Sequence, residues 1–192
     1  MAARLPGLLG AERRDRGEFL RSFYRLYEGV SVSDVRALAE DSIGELLLRR
    51  LAPGAVRRIR EHRAAGHRVV LVTGSLDFIV EPLVPLADEV VAARLADRDG
   101  VFTGDLIQPP LTGEARASWL VGYARSVGAD LASCYAYADS LSDLPMLEAA
   151  GRPVAVNPDV ALTRIARKHQ WPIEEWEAVR GTPKLLVPEP AL

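Results

Sequence analysis

The sequence predicts an α/β fold in which helices cover both faces of a parallel sheet. From Gly66 onward, short apolar runs rich in β-branched residues alternate with helical patterns of ten or more residues. Such alternation is typical of a parallel sheet. The first third of the chain has only helical patterns, and the length of 192 residues suits one compact domain with a small appendage.

Residues 11–66 are predicted to form a helical region. Glu12–Tyr27 carries apolar residues at three- and four-residue spacing, which indicates an amphipathic helix. Ser33 is the predicted N-cap of a second helix, and Pro53 suits the first turn of a third that ends at Gly66. No face of these helices gathers His, Cys or carboxylate side chains, so we predict that the region packs against and covers the rest.

Residues 67–170 are predicted to form the α/β core. The predicted strands are 67–73, 89–95, 101–107, 132–138 and 153–157, and the predicted helices are 76–86, 113–127, 141–149 and 159–169. Asp97–Gly100 predicts the turn of a hairpin. The remaining residues, 171–192, are rich in Pro and Glu, and we predict a docking strap or a linker there.

Charge and cysteine content restrict the possible partners and location. The formal net charge of −2 argues against a general nucleic-acid or membrane-surface binder, because both need a basic excess. No run approaches the roughly 20 apolar residues of a membrane span. Cys134 is the only cysteine, and Met1–Gly10 is a poor signal peptide because Pro6 and two glycines interrupt it. We therefore predict a cytoplasmic protein without membrane insertion.

Ligands of parallel sheets bind beyond the carboxyl ends of the strands, and three polar segments follow predicted strands. The first is Thr73-Gly74-Ser75, whose hydroxyls and backbone N–H groups could hold an anion. The second begins at Asp139-Ser140, and the third is 157–159. Small polar residues at strand ends are common, so the first segment alone is a weak indication of function.

Asp139 and Asp143 lie four residues apart at a predicted strand-to-helix junction. Hard oxygen ligands of this kind suit Mg²⁺, which keeps several waters and takes one or two protein carboxylates. A structural interpretation makes Asp139 or Ser140 a helix N-cap and Asp143 a first-turn acid favoured by the helix dipole. That interpretation explains each residue separately, but it does not explain why two aspartates and a serine occur together at one junction.

Together these segments resemble the haloacid dehalogenase-like phosphatases, in the branch that contains phosphoserine phosphatase (subfamily IB). Residues 70–75 resemble motif II, Gly113–Arg116 is similar to the motif III region, and 136–147 resembles motif IV, of form Gly-Asp-Ser-x-x-Asp. The resemblance extends over roughly residues 30–175, with the three motifs in the family's order.

The resemblance implies a Rossmann-like sheet with a helical cap, and Mg²⁺-dependent hydrolysis of a small phosphomonoester through an aspartyl-phosphate. Thr73, with Gly74 and Ser75, would bind the phosphoryl group. Asp139 would be a direct Mg²⁺ ligand, and Asp143 would support the metal shell.

Three departures from the family pattern bear on activity. Arg116 stands where motif III has a lysine, and although it could bind phosphate, its planar fork differs from a compact ammonium. Ala138 replaces a glycine. Motif I, an Asp-x-Asp pair after an N-terminal strand, has no counterpart before Val70, because Asp15 lies in too polar a run. Asp97–Val101 matches motif I letter for letter, but its position after motif II favours a hairpin turn.

Three hypotheses remain open. The first is a phosphatase whose true start lies upstream of Met1. Its nucleophile and central strand would lie in that upstream segment, so residues 1–192 alone would be impaired. The second is a catalytically silent domain that binds a phosphate-bearing ligand or a protein. The third is a fragment of a larger protein, with the C-terminal tail as the linker to a fusion partner.

Overall fold

The computed structural model describes residues 16–177. The signal-peptide analysis of Met1–Gly10, the position of Asp15 and the tail after Glu177 lie outside the described residues. No helix within 16–177 has the length and apolar character needed to cross a bilayer.

The N-terminal region is helical, as predicted. The structure places Ser31 rather than Ser33 at the start of the second helix, because the Ser31 side chain accepts the Asp34 N–H and Ser33 lies inside the first turn. The helices are α1 (Arg16–Tyr24), α2 (Val32–Leu38), α3 (Gly44–Arg49) and α4 (Pro53–Ala64), with a 3₁₀ turn at Arg25–Tyr27 and a π-helical stretch at Ala39–Ile43.

Strands and helices then alternate, which confirms the α/β fold. The strands are β1 (Val70–Leu76), β2 (Glu89–Ala93), β3 (Leu95–Arg98), β4 (Val101–Leu106), β5 (Tyr135–Ala138), β6 (Arg152–Val156) and β7 (Ile173–Glu174). The helices are α5 (Asp77–Val80), α6 (Gly113–Val127), α7 (Leu144–Ala149) and α8 (Val160–His169), with 3₁₀ turns at Glu81–Leu86, Leu131–Ser133 and Leu141–Asp143.

The parallel strands fall into two separate sheets. One contains β1 and β2, and the other has the order β5-β6-β7. No strand within residues 16–177 pairs with both β1 and β5. This division agrees with the prediction that the central strand between the motif II and motif IV strands is missing.

The predicted hairpin is confirmed, but the predicted strand 89–95 is divided. Its first part, β2, pairs with β1, whereas β3 pairs antiparallel with β4. Asp99 and Gly100 form the turn with φ values of 53° and 78°, and an Asp-Gly pair tolerates this left-handed backbone. Asp97 and Asp99 therefore belong to a hairpin and not to the strand end that motif I requires.

Two apolar clusters hold the elements together. One joins α1, α5 and the hairpin through Leu20, Tyr24, Leu76, Phe78 and Phe102. The other lies between the three-stranded sheet and helices α7 and α8, and consists largely of alanine and leucine. Its small residues let helices pack closely on the strands.

A group of four aromatic residues, here called the His–Tyr cluster, connects α4 and the segment before β1 to β5. His62 Nε2 lies 2.7 Å from the Tyr137 hydroxyl, and His62 Nδ1 lies 2.8 Å from His67 Nδ1. The His67 ring stacks on Tyr135, with ring centroids 6.0 Å apart. Because one proton serves the two Nδ1 atoms, a second proton there would place two donors face to face.

We expect the His–Tyr cluster to make folding stability depend on pH. Burial, His67 and the Arg58 charge lower the pKa of His62 from 6.5, and burial raises the pKa of Tyr137 to about 12. The unfolded chain therefore takes up the His62 proton at a higher pH than the folded chain does. The stabilisation is present above pH 6.5 and is lost as the pH falls through the lower pKa of folded His62.

Urea unfolding at a series of pH values from 8 to 5 would measure this effect. His62→Gln keeps polar side-chain atoms but cannot titrate, so we expect a weaker loss of stability on acidification in that variant. An equal loss in both proteins would assign the pH dependence to other groups. His169→Gln serves as the control for removing a histidine elsewhere.

The first residues of the predicted tail belong to the sheet. Ile173 and Glu174 pair with β6 as β7. Trp176 then packs against α4, where a Cβ added at Gly54 would lie 2.7 Å from the indole Cγ. Arg58 of α4 also pairs with Glu174 at 2.5 Å. These contacts join α4 to the three-stranded sheet.

Candidate active site

The first predicted phosphate segment, Thr73-Gly74-Ser75, lies in a bulge of β1. Val72 pairs with Val91 and Leu76 pairs with Ala93. Between these two pairs, β1 therefore has three residues (73–75) where β2 has one. The prediction that the strand ends at Thr73 is therefore wrong, because pairing resumes beyond the bulge. Thr73 Oγ1 accepts the Ser75 N–H at 3.1 Å. Bulges are frequent beside functional sites because they redirect side chains and backbone groups.

Helix α1 covers this bulge. Tyr24 is buried, and its hydroxyl donates to the Gly74 carbonyl. A Cβ added at Gly74 would lie 3.8 Å from Leu20 Cδ1. An apolar residue and a tyrosine of the N-terminal helical region thus lie directly over the candidate phosphate segment.

Arg116, near the start of α6, approaches both the bulge and the second carboxylate. Its Nη1 pairs with Asp143 Oδ1, and its Nη2 would lie 3.6 Å from a Cβ at Gly74. The side chains of Arg116 and Asp143 are only 14% and 10% exposed. Buried Arg116 Nε has no hydrogen-bond partner in the described part of the chain. The structure therefore joins two predicted site residues directly to each other.

The second predicted segment forms a tight turn after β5. The Ser140 side chain accepts the Ser142 N–H, and the Ser140 carbonyl accepts the Asp143 N–H at 3.0 Å. Asp139 is exposed, and its carboxylate makes no hydrogen bond or ion pair within residues 16–177. Asp143 is buried and Asp139 is free, so the two carboxylates lie in different environments.

The start of α6 packs against this turn without room for a side chain. A Cβ added at Gly113 would lie 2.0 Å from the Ser142 carbonyl oxygen. Gly113 therefore permits the close contact that brings Arg116, three residues later, beside Asp143.

The third predicted segment, 157–159, is bonded to other parts of the protein. Asn157 bonds in both directions with the backbone of Trp176, at 2.9 and 2.8 Å. Asp159 accepts the N–H groups of Leu141 and Leu162, and these bonds lower the pKa of its carboxyl group. The third segment after a predicted strand therefore forms hydrogen bonds that hold neighbouring segments together.

The donor set agrees with Mg²⁺ but supplies only part of a binding site. Asp139 offers a free hard oxygen, and Mg²⁺ usually keeps several waters beside one or two carboxylates. No group of three or more His, Cys, Asp or Glu residues suitable for a metal occurs in the part that the structure describes. Because Arg116 neutralises Asp143, the unpaired negative charge of the turn lies on Asp139.

The sequence patterns predicted Thr73, Arg116 and the two aspartates as site residues, and these stay predictions; several residues that contact them were not predicted. Leu20 belongs to the apolar stripe of the predicted helix 12–27 and Tyr24 lies within the same helix, but nothing in the pattern placed either residue over Gly74. Gly113 carried a weak signal, since glycine as the first residue of a helix is unusual unless space is short.

A family model described as haloacid dehalogenase-like hydrolase matches residues 1–148. The chain belongs to this family. The match includes the helical region and all three segments that carry the resemblance to motifs II, III and IV, so the predicted family is confirmed.

Relatives among curated proteins agree with this family. The chain is 40% identical over 170 residues to the inhibition of morphological differentiation protein of Streptomyces azureus, covering 86% of this chain and 61% of the relative. It is 32% identical over 184 residues to phosphoserine phosphatase SerB1 of Mycobacterium tuberculosis, covering 94% and 60%. The chain therefore spans about three-fifths of the length of these two relatives.

Solved structures confirm the fold of the family. A protein of unknown function from Bordetella pertussis Tohama I has a TM-score of 0.79 and 26% identity, with 90% of this chain and 81% of that chain covered. A phosphoserine phosphatase in its apo form has a TM-score of 0.67 and 23% identity, with 91% and 84% covered. The second similarity shows the haloacid dehalogenase-like fold alone.

Proposed function

We propose that the chain supplies the phosphate-binding and Mg²⁺-binding parts of a phosphomonoester hydrolase. The observation that carries the proposal is the position of Arg116, which reaches the Thr73–Ser75 bulge and pairs with Asp143 in the turn that begins at the free carboxylate of Asp139. Cation, hydroxyl, backbone N–H groups and carboxylate are the groups that phosphoryl transfer needs.

In this proposal, the Thr73 hydroxyl and the N–H groups of Gly74 and Ser75 hold the phosphoryl group, and Arg116 balances its charge. A substrate phosphate would compete with Asp143 for the guanidinium, which has donors for both. Asp139 would be a direct Mg²⁺ ligand and Asp143 an outer one. Mg²⁺ bound there would neutralise charge that develops on the phosphoryl oxygens.

The nucleophile would be an aspartate on a strand inserted between β1 and β5. The division of the parallel strands into two sheets supports this position. The carboxylate would attack phosphorus and release the substrate alcohol, which takes up a proton, and water would then hydrolyse the aspartyl-phosphate. Because motif I has no counterpart before Val70, we propose that the printed chain alone is impaired and that an upstream segment supplies this strand.

The proposed substrate is a small phosphorylated metabolite of the cytoplasm. Helix α1 lies close over Gly74 and limits the room for the leaving group. Since one relative is named a phosphoserine phosphatase, phosphoserine is the first compound to test.

A second candidate is a catalytically silent domain that binds a phosphate-bearing ligand. The ion pair between Arg116 and Asp143 favours it, because the pair neutralises both residues without substrate. A silent domain would bind phosphoserine or inorganic phosphate, but it would gain no turnover when the missing strand is supplied.

Hydrolysis of an aryl phosphate and of phosphoserine, with and without Mg²⁺, tests these alternatives. The assay compares residues 1–192, the same chain preceded by its in-frame upstream segment, and Asp139→Asn in both. We expect little or no turnover by the first protein and Mg²⁺-dependent turnover by the second, reduced at least about a hundredfold by Asp139→Asn. If the folded, extended protein shows no turnover, or if no in-frame Asp-x-Asp strand exists upstream, the proposed enzyme is wrong.

A further inference from the structure

Asp159 connects the turn after β5 to the start of α8. Its Oδ2 accepts the Leu141 N–H at 2.9 Å, in the turn after β5, and its Oδ1 accepts the Leu162 N–H at 2.7 Å, in the first turn of α8. Its own N–H donates to the Asp139 carbonyl at 2.8 Å. One residue therefore contacts the backbone on both sides of Ser140 and caps a helix at the same time.

The bond from the Asp159 N–H acts on the backbone of the proposed metal ligand itself, and the side-chain bond to Leu141 holds the residue two positions later. The Asp139 side chain is exposed and makes no polar contact within residues 16–177, so its direction depends on the backbone that carries it. The Ser140 side-chain bonds lie inside the turn and do not attach it to another element. Asp159 attaches the turn to α8, whose inner face is buried through Leu162 and Ala166.

A carboxylate suits this position better than other capping residues. Two N–H groups from different segments approach two different oxygens, and both charge-assisted bonds favour an ionised acceptor. Asparagine would keep one carbonyl oxygen, and its amide nitrogen would place a donor opposite the other N–H. Serine would keep the cap of α8 but offers only one oxygen.

We infer that Asp159 is a positioning residue for the metal site: it holds the turn of Asp139 in place from α8. The inference deepens the proposed function and rests on it, since it assumes that Asp139 binds the metal. Residues that orient metal ligands typically change metal affinity about 10- to 100-fold when they are replaced.

Mn²⁺ binding to the chain preceded by its in-frame upstream segment, followed by electron paramagnetic resonance, tests the inference without any catalytic turnover, because the described residues supply only part of a metal site. Mn²⁺ shares the preference of Mg²⁺ for oxygen ligands. We expect Asp159→Ala to weaken the Mn²⁺ affinity at least about tenfold and Asp159→Asn to have a smaller effect. Asp130→Ala is the matched control, because Asp130 likewise accepts from Ala132 N and Ser133 Oγ at the start of a short 3₁₀ helix in another part of the fold.

Amide hydrogen exchange without metal provides a second readout. In Asp159→Ala, we expect the exchange rate of the Leu141 amide to increase more than the exchange rates of amides elsewhere in the protein. In Asp130→Ala, the Leu141 amide should stay protected. If Asp159→Ala denatures, the same comparison is made with Asp159→Asn.

The outcomes separate this inference from the proposed function. Wild-type binding that Asp139→Asn abolishes, with unchanged affinity in folded Asp159→Ala and Asp159→Asn, overturns the positioning role alone. Wild-type binding that does not respond to Asp139→Asn, or no binding at all, overturns the proposed metal site and this inference together. Equal weakening by Asp130→Ala would indicate a general stability effect and would also overturn the positioning role.

Discussion

Replacing Arg116 by alanine is expected to lower the free energy of unfolding by about 3–5 kcal/mol. The replacement leaves the Asp143 carboxylate without its cationic partner, on a side chain that is only 10% exposed. Removing one member of a buried pair costs far more than the pair contributes, because the remaining charge is neither hydrated nor neutralised.

The pair itself need not stabilise the fold. Arg116 Nε is buried without a partner, so part of the guanidinium is already desolvated without compensation. We therefore expect the double replacement Arg116→Met with Asp143→Leu to be much closer to the wild type than either single replacement. A protein that keeps such a pair despite its desolvation cost is expected to use it for function, here in binding a phosphate.

Urea unfolding of five proteins measures these energies: the wild type, Arg116→Ala, Arg116→Met, Asp143→Leu and the double variant that combines the last two. Arg116→Lys is the conservative control, since it keeps the charge that the family's motif III supplies but loses the planar fork. A loss of less than about 1 kcal/mol in Arg116→Ala would mean that the pair behaves as a solvated surface contact.

Local patterns predicted most of the fold. Helix α6 was predicted with its observed bounds, and α4 agrees within two residues because Pro53 and Gly66 mark its ends. Strands were less accurate: β1 begins later than predicted and continues through the Thr73–Ser75 bulge. A bulge depends on pairing with β2, and no residue pattern within β1 contains that information.

Contacts between distant segments explain what the sequence did not predict. The Arg116–Asp143 pair joins residues that were both identified, but as separate ligands. The His–Tyr cluster joins residues 75 positions apart, and each histidine alone matched no motif. β7 lies in a segment whose Pro and Glu content is typical of a linker, so it was not predicted. Its two residues form a strand because they pair with the edge of β6.

The motif resemblance predicted the family of the protein but not the contacts that shape the candidate site. It identified the family, which the family model confirms, while the phosphate and Mg²⁺ roles of its residues stay predictions. It did not predict that Tyr24 bonds to Gly74 or that Asp159 holds the turn of Asp139. These contacts depend on how α1 and α8 pack, and packing is a property of the whole fold.

Replacing Gly113 by alanine should destabilise the protein by about 1–3 kcal/mol or more, although alanine is the better helix former. The added Cβ would lie 2.0 Å from the Ser142 carbonyl oxygen and 3.2 Å from Pro145 Cδ. The first of these neighbours is backbone, so α6 must move away from the turn that carries Asp143. We expect Mn²⁺ affinity to fall together with stability, because the same shift moves Asp139 and separates Arg116 from Asp143.

Gly122→Ala is the matched control on the same helix. Gly122 lies inside α6, is exposed, and has no atom within 4 Å of an added Cβ. Alanine there should stabilise the protein by about 0.5–1 kcal/mol, because only the helix propensity changes. Urea unfolding should therefore give opposite signs for the same substitution at two positions of one helix. Equal signs would contradict the close packing of α6 on the turn, and with it the physical link between Arg116 and the candidate metal site.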